Sequence, residues 1–275
     1  RKHATINILG LGVALAACII IFLVIQFEYS HDRHLKEYSN IYEVVTKDVD
    51  SDGEHFSPGV PFPSIKFLRK DFPQYQFAEV MQNYGVQITV KNETGSAAGD
   101  NKKFREETGI FYGEPELLKM FEVKFLTGDA NMLKDVNSVV LSQSTAEKYF
   151  GNWKEAVGKR LNIDNDNFDL QVAGVFADVP ENSDFPFKLV ASYAGFIAHN
   201  GNGWPLEDWG SNTSNHQVYA LLPKGANTLA MDQQLALFEK KYNGNNKQST
   251  RTHFLLPLSN LHFDERFGTN GDHVT

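Results

Sequence analysis

The chain holds one cysteine, Cys18, in 275 residues. It falls inside a long apolar run, so everything after it lacks the thiols for a disulfide or a thiolate metal site. A disulfide-stapled extracellular scaffold is thereby excluded. A bacterial periplasm is not, because large domains there fold without disulfides. Positive charge is also scarce. From Glu28 to Thr275 the chain carries all 34 acidic residues but 24 of the 26 basic ones, a net charge of −10. That balance argues against nucleic acid or an anionic membrane surface as a partner.

Catalytic signatures are missing too. There is no G-x-S-x-G elbow and no H-E-x-x-H pair. The nearest phosphate-loop pattern, "GNWKEAVGKR", has six residues between Gly151 and Gly158, and Arg160 follows Lys159. A phosphate loop needs four residues there and a Ser or Thr after the lysine, so that amides and hydroxyl converge on phosphate and Mg²⁺. "DVDSDG" puts Asp48, Asp50, Asp52 and Gly53 where a calcium loop begins, but Gly59 stands where the bidentate glutamate belongs. Asp52-Gly53 is better read as a hairpin turn. "DNDNFD" (Asp164 to Asp169) lacks even the glycine. His31 and His34 could share a metal, yet nothing near them in sequence completes a site, and they read as a hydrated juxtamembrane face. The other seven histidines are scattered. The expectation is therefore a non-enzyme, with no catalytic, cofactor-binding or metal-binding residue and no cofactor.

What is present begins with "LGVALAACIIIFLVIQF". Leu15-Ala16-Ala17-Cys18 imitates the pattern before a lipidated cysteine. The apolar run continues past it, however, and from Ala4 to Phe27 no residue is charged. As a helix this stretch would span about 36 Å, enough for a hydrocarbon core of about 30 Å. A signal peptide's apolar region is shorter, about 7–15 residues. Residues 1–27 are read as a cytoplasmic flank and a permanent transmembrane helix. Gly10, Ala14, Ala17 and Cys18 line one side, where a neighbouring helix can approach closely; glycine and alanine are also simply common in membrane spans. Arg1 and Lys2 favour a cytoplasmic start, although Arg33 and Lys36 weaken the asymmetry. Without an initiator Met, the chain is read as an excised piece.

The rest mixes strands and helices. "NIYEVVTKDV" (40–49) reads as a strand. "PFPSIKFLRKDFP" reads as a helix with Ile65, Leu68 and Phe72 on one face, Pro63 in its first turn and Pro73 ending it. In "GVQITVK", Val86, Ile88 and Val90 alternate with polar residues, a half-buried strand. The opening is thus strand–helix–strand. A short helix is expected around Glu114 to Met120. In "NSVVLSQSTAEKYFG" a strand leads to Ser144 as helix cap, with Glu147 completing a capping box and Gly151 closing the helix. "KRLNIDNDNFDLQVAGVFADV" reads as a hairpin with Phe168, Leu170 and Val172 on one face. After a loop rich in Gly, Asn and Trp come a strand, "QVYALL", and a helix over Thr228 to Tyr242. Met231, Leu235, Phe238 and Tyr242 form its stripe, and Asn243-Gly244 its stop. "THFLLPL" is a final strand. Without strict alternation the class is α+β, and 248 residues after the anchor suggest two lobes.

Three passages resemble the MacB-like permeases of ABC transporters. "INILGLGVALAACIIIFLVIQFEYSHDRHLKEYSNIYEV" looks like the first membrane helix and exit segment of the variety common in Bacteroidetes. "VVLSQSTAEKYFGNWKEAVGKRLNIDNDNFDLQVAGVFADVPENSDFPF" resembles the core signature of that family's periplasmic domain. "VYALLPKGANTLAMDQQLALFEKKY" is similar to a late strand and helix. Glu155-Ala156-Val157 departs from the family's usual acidic-Pro-Ile run, which leaves subfamily and substrate open.

The resemblance implies a transmembrane helix followed by a two-lobed periplasmic domain over 28–275. One lobe would be formed by about 28–91 plus 181–267, and the other, inserted between them, by about 92–180. It implies a permease of the bacterial inner membrane that couples ATP-driven helix motion to export or extracytoplasmic work. Its partners would be an ABC ATPase subunit, further permease helices, a second permease copy or repeat, a periplasmic adaptor or lipoprotein, and the lipid bilayer. Two rival functions are a membrane-anchored sensor, with the loop around Trp204 and Trp209 as ligand mouth, and an FtsX-like regulator of cell-wall hydrolases.

Overall fold

The computed structural model describes residues 2–91, 101–163, 169–200, 203, 206–243 and 250–267. Helix α1 (Lys2–Glu28) leads into β1 (Ile41–Asp50), β2 (Gly53–Ser57), α2 (Ser64–Asp71), β3 (Gln76–Asn83) and β4 (Val86–Val90). Then come β5 (Lys102–Glu106), β6 (Ile110–Gly113), α3 (Pro115–Met120), β7 (Phe125–Thr127), β8 (Ser138–Ser142) and α4 (Gln143–Phe150). Next are β9 (Arg160–Ile163), β10 (Leu170–Phe176), β11 (Leu189–Ser192) and α5 (Tyr193–Asn200). The chain closes with β12 (His216–Leu221), α6 (Thr228–Tyr242), β13 (Thr252–Pro257) and α7 (Leu258–Leu261). The class is α+β, as expected.

From Ile6 to Ile25 the apolar side chains of α1 are exposed: Ile8 is 71% exposed and Phe22 63%. In water such a surface would be costly, about 25 cal/mol per Å² of apolar area. Thr5–Glu28 is long and apolar enough to cross a membrane, where lipid removes that cost. The stripe of Gly10, Ala14, Ala17 and Cys18 is equally bare.

The strands form one sheet in the order β13-β1-β12-β3-β6-β11-β8-β10-β9-β4-β5, with β2 added to β1 and β7 to β10. Among the described residues only β8–β10 and β6–β11 run parallel; the parallel step from β8 to β10 encloses α4 and β9. Three apolar cores lie on its faces. Leu68 of α2 and Met231, Leu235 and Phe238 of α6 cover Val44, Val218 and Leu255 of β1, β12 and β13. Ala146 and Tyr149 of α4 and Phe196 of α5 pack on Ile88, Val139, Leu161 and Val172. Phe121, Phe185, Phe187, Tyr219, Leu258 and Leu261 form the third.

Three readings are corrected or extended. The cap of α4 is Ser142, whose hydroxyl accepts from Thr145 N–H at 3.3 Å. Ser144 is already inside the first turn, where its N–H and hydroxyl both donate to Asp178. Glu147 accepts from Gln143 instead of closing a capping box. Gly151 does close the helix at φ +84°, a left-handed conformation that a side chain would strain. The opening is richer than strand–helix–strand, because β3 follows α2 and is buried at nearly every position. Phe168 and Gly244 lie outside the described residues.

Candidate functional site at the foot of the membrane helix

Helix α1 ends at Glu28, and the six residues after it turn back onto the outer domain. Asp32 takes φ +54°, a conformation that aspartate tolerates better than most side chains. Its N–H donates to the Asn182 carbonyl at 3.0 Å. Its carboxylate accepts from Ser183 Oγ at 2.6 Å and from Asp184 N–H at 3.2 Å. Asn182 Nδ2 donates to the Ser30 carbonyl and hydroxyl at 3.1 and 2.8 Å. The loop between β10 and β11 is thus stitched, residue by residue, to the segment leaving the membrane helix.

Asp184 carries the connection further. Its Oδ1 lies 3.1 Å from His31 Nδ1 and 2.8 Å from His262 Nδ1. His262 follows α7, at the end of the chain segment led in by β13. Its Nε2 meets Glu28 Oε2 at 2.7 Å. The two imidazoles lie 3.8 Å apart at 34°. Phe27 meets His31 edge-on at 5.5 Å, and Tyr29 lies 5.1 Å from Phe263. Three segments distant in sequence therefore converge on one buried carboxylate: the foot of α1, residues 182–184, and His262.

Charge at this junction is finely set. Burial pushes the Asp32 carboxyl up to about 6; the charge of Asp184 adds to the rise, and the Ser183 hydrogen bond opposes it. Burial favours neutral His262, but hydrogen bonds and charge from Glu28 and Asp184 outweigh it and raise its pKa. As imidazolium, His262 can donate to Glu28 with one nitrogen and to Asp184 with the other. The arrangement joins a helix end to a domain by charge-assisted hydrogen bonds, which are the stronger kind.

The reading of His31 and His34 as a hydrated face fails for His31, which is 5% exposed. Its partner is His262, not the exposed His34. No local spacing announces this, because α7 and β13 deliver His262 from the far end of the chain. The acids of "DVDSDG" are held otherwise: β1 and β2 form the expected hairpin with Asp50 opposite Gly53. Asp50 faces His55 at 3.1 Å and Asp48 faces Arg251 at 3.4 Å. Of "DNDNFD", only Asp169 is described, 3.2 Å from Lys91. Gly158, in the phosphate-loop lookalike, donates its N–H to the Val172 carbonyl. Of the loop tryptophans, Trp204 lies outside the described residues. Trp209 stacks on Tyr242, packs at a tilt against Phe67 and meets Phe238 edge-on, bridging α2 and α6.

The family described as MacB-like periplasmic core domain matches residues 4–237. Among solved structures, a domain assigned to a permease protein from Porphyromonas gingivalis aligns with a TM-score of 0.61 at 20% identity, covering 82% of this chain and 92% of that one. The periplasmic region of MacB from Actinobacillus actinomycetemcomitans aligns with a TM-score of 0.53 at 16% identity, covering 80% of this chain and 90% of that one. No curated protein matches the chain. The structural likenesses are of fold, and the family is one of permease-type transporter components, not of classical enzymes. With a membrane-spanning helix and an outer sheet domain of this form, the chain belongs to the MacB-like periplasmic core domain family.

Proposed function

We propose that this chain is part of an ABC transporter permease in the bacterial inner membrane, whose periplasmic domain relays movement driven by a separate ATPase. The observation that carries the reading is the junction itself. Glu28, the last residue of α1, reaches Asp184 through His262, so displacement of the helix foot pulls directly on the loop between β10 and β11. The moving bodies are the two lobes, about 28–91 plus 181–267 and about 92–180. Strand β4 belongs to the first by chain order but pairs with β5 and β9 of the second. The lobes also share one sheet, so their relative motion is a change of twist across β3, β6, β11 and β8. The rotation between neighbouring strands ranges from about −10 to −35° among sheets. Partner lipoproteins or adaptors would act on the outer lobes. A regulator of cell-wall hydrolases would use the same relay with a different output. The sensor reading gains no support from Trp209, which is taken up in packing.

The test is a distance between spin labels in the full-length permease with its ATPase in lipid. Labels are placed at Leu237→Cys on α6 and Glu147→Cys on α4, both exposed positions, in a Cys18→Ser background. Trapping ATP should shift the distance by several ångströms, since a state change needs free energy supplied from elsewhere. An unchanged distribution would refute the relay.

A further inference from the structure

We propose that Glu28, His31 and His262 form a binding site for a transition-metal dication of the zinc class, set at the joint between the membrane helix and the outer domain. One donor atom from each residue lies within 4.8 Å of the donors of the other two. Two imidazoles and a carboxylate are a donor set that zinc takes, with a water in the fourth position. Imidazole nitrogen disfavours calcium and magnesium, which prefer oxygen.

The surroundings are built for it. Both rings turn Nδ1 toward the same Asp184 oxygen, at 3.1 and 2.8 Å. With Nδ1–H donating there, Nε2 is the atom each ring has left for a metal, for His262 once the proton it shares with Glu28, 2.7 Å away, is released. A carboxylate that orients metal-binding histidines from behind is the usual outer support of such sites. The two rings, 3.8 Å apart and tilted by 34°, already bring one donor each to within 4.8 Å of the other and of Glu28. The His262–Glu28 separation spans a shared proton; two donors on a tetrahedral zinc at about 2.0–2.1 Å stand about 3.3 Å apart. Replacing the proton by the ion therefore asks the pair to open by roughly half an ångström. The side chains of His31, His262 and Asp184 are 5%, 6% and 7% exposed, whereas Glu28 is 42% exposed. The histidines are fixed, and Glu28 marks the side from which ion and water enter. The charges agree as well, since a dication offsets Glu28 and Asp184 together.

Occupancy would lock the foot of α1 to the segment after α7. It is measured without ATPase or nucleotide, so its failure leaves the relay standing. The full chain, purified in detergent without a histidine tag, is stripped with EDTA and dialysed. Zn²⁺ is then added and retained metal is counted, with Co²⁺ as the visible-spectrum probe of a nitrogen-ligated, low-coordinate site. The parent should hold one equivalent and show ligand-field bands. His262→Ala should lose both, and Glu28→Gln should weaken binding at least tenfold. Asp184→Asn should weaken it by 10–100-fold, as expected for an outer-shell partner. His34→Ala should change nothing. Circular dichroism checks the fold of each variant, and Glu28→Gln, at the exposed edge, keeps the test valid if His262→Ala unfolds. The proposal is overturned if the parent retains no metal, or if Glu28→Gln and a folded His262→Ala bind as the parent does.

Discussion

His216 and His262 both sit against a glutamate at 2.7 Å, one at the centre of the sheet and the other at the membrane helix. His216 is fully buried. Its Nε2 faces Glu79, its Nδ1 faces the Val60 carbonyl, Phe62 stacks on its ring at 4.2 Å, and Tyr193 donates to the same Glu79 oxygen. Every partner belongs to the outer domain. His262 instead joins that domain to α1, through a glutamate left 42% exposed. The contrast separates a pair that holds one body together from a pair that holds two bodies to each other.

The largest effect should fall on the central pair. Removing Glu79 leaves the buried Tyr193 hydroxyl and the His216 ring without their shared partner, at about 1–3 kcal/mol for each unsatisfied group, so Glu79→Ala should lower the urea midpoint of the full chain in detergent steeply. Glu28→Gln removes a half-exposed partner, and such pairs contribute about 1 kcal/mol or less; its midpoint should barely move. Equal losses would erase the distinction between the two sites.

A smaller effect, in pH, sharpens the interior side of the comparison. Burial opposes ionisation of Glu239, but hydrogen bonds from His253 and Asn243 and the charge of Arg251 outweigh it and hold its carboxyl below the ordinary 4.5. A depressed folded-state pKa stabilises above the unfolded value and loses that contribution as pH falls through the folded value. Stability should therefore drop below about pH 4.5 in the parent, and Glu239→Gln should flatten that part of the profile. A variant as acid-sensitive as the parent there would assign the drop to other groups.

How much of this was legible in the sequence follows from how local each feature is. The stripe of α6 was readable from spacing, and Met231, Leu235 and Phe238 are all buried. The Asp52-Gly53 hairpin was readable from two residues. Strand β3 was missed because "QFAEVMQN" has no alternation: it is covered on both faces, so the period-2 signal is absent. The α4 cap was misplaced by two residues because two serines compete, and only the extended backbone at Ser142 decides between them. The junction was illegible for a different reason. Its four key residues, Glu28, His31, Asp184 and His262, come from three separate segments, and the nearby His34 offered a false partner. The uncharged apolar run gave the anchor and the mixed order of elements gave the class, but neither these nor the family resemblance pointed to Asp184.

The central claim is that movement of α1 reaches the outer domain through Asp184. The most direct measurement repeats the spin-label distance between positions 237 and 147, in the complete transporter with and without trapped ATP, in the parent and in Asp184→Asn. That substitution keeps the side chain's size and removes its charge. The relay predicts a shift of several ångströms in the parent and its loss in Asp184→Asn, while ATP hydrolysis and the circular dichroism spectrum stay as in the parent. An Asp184→Asn variant that shifts as far as the parent would contradict it.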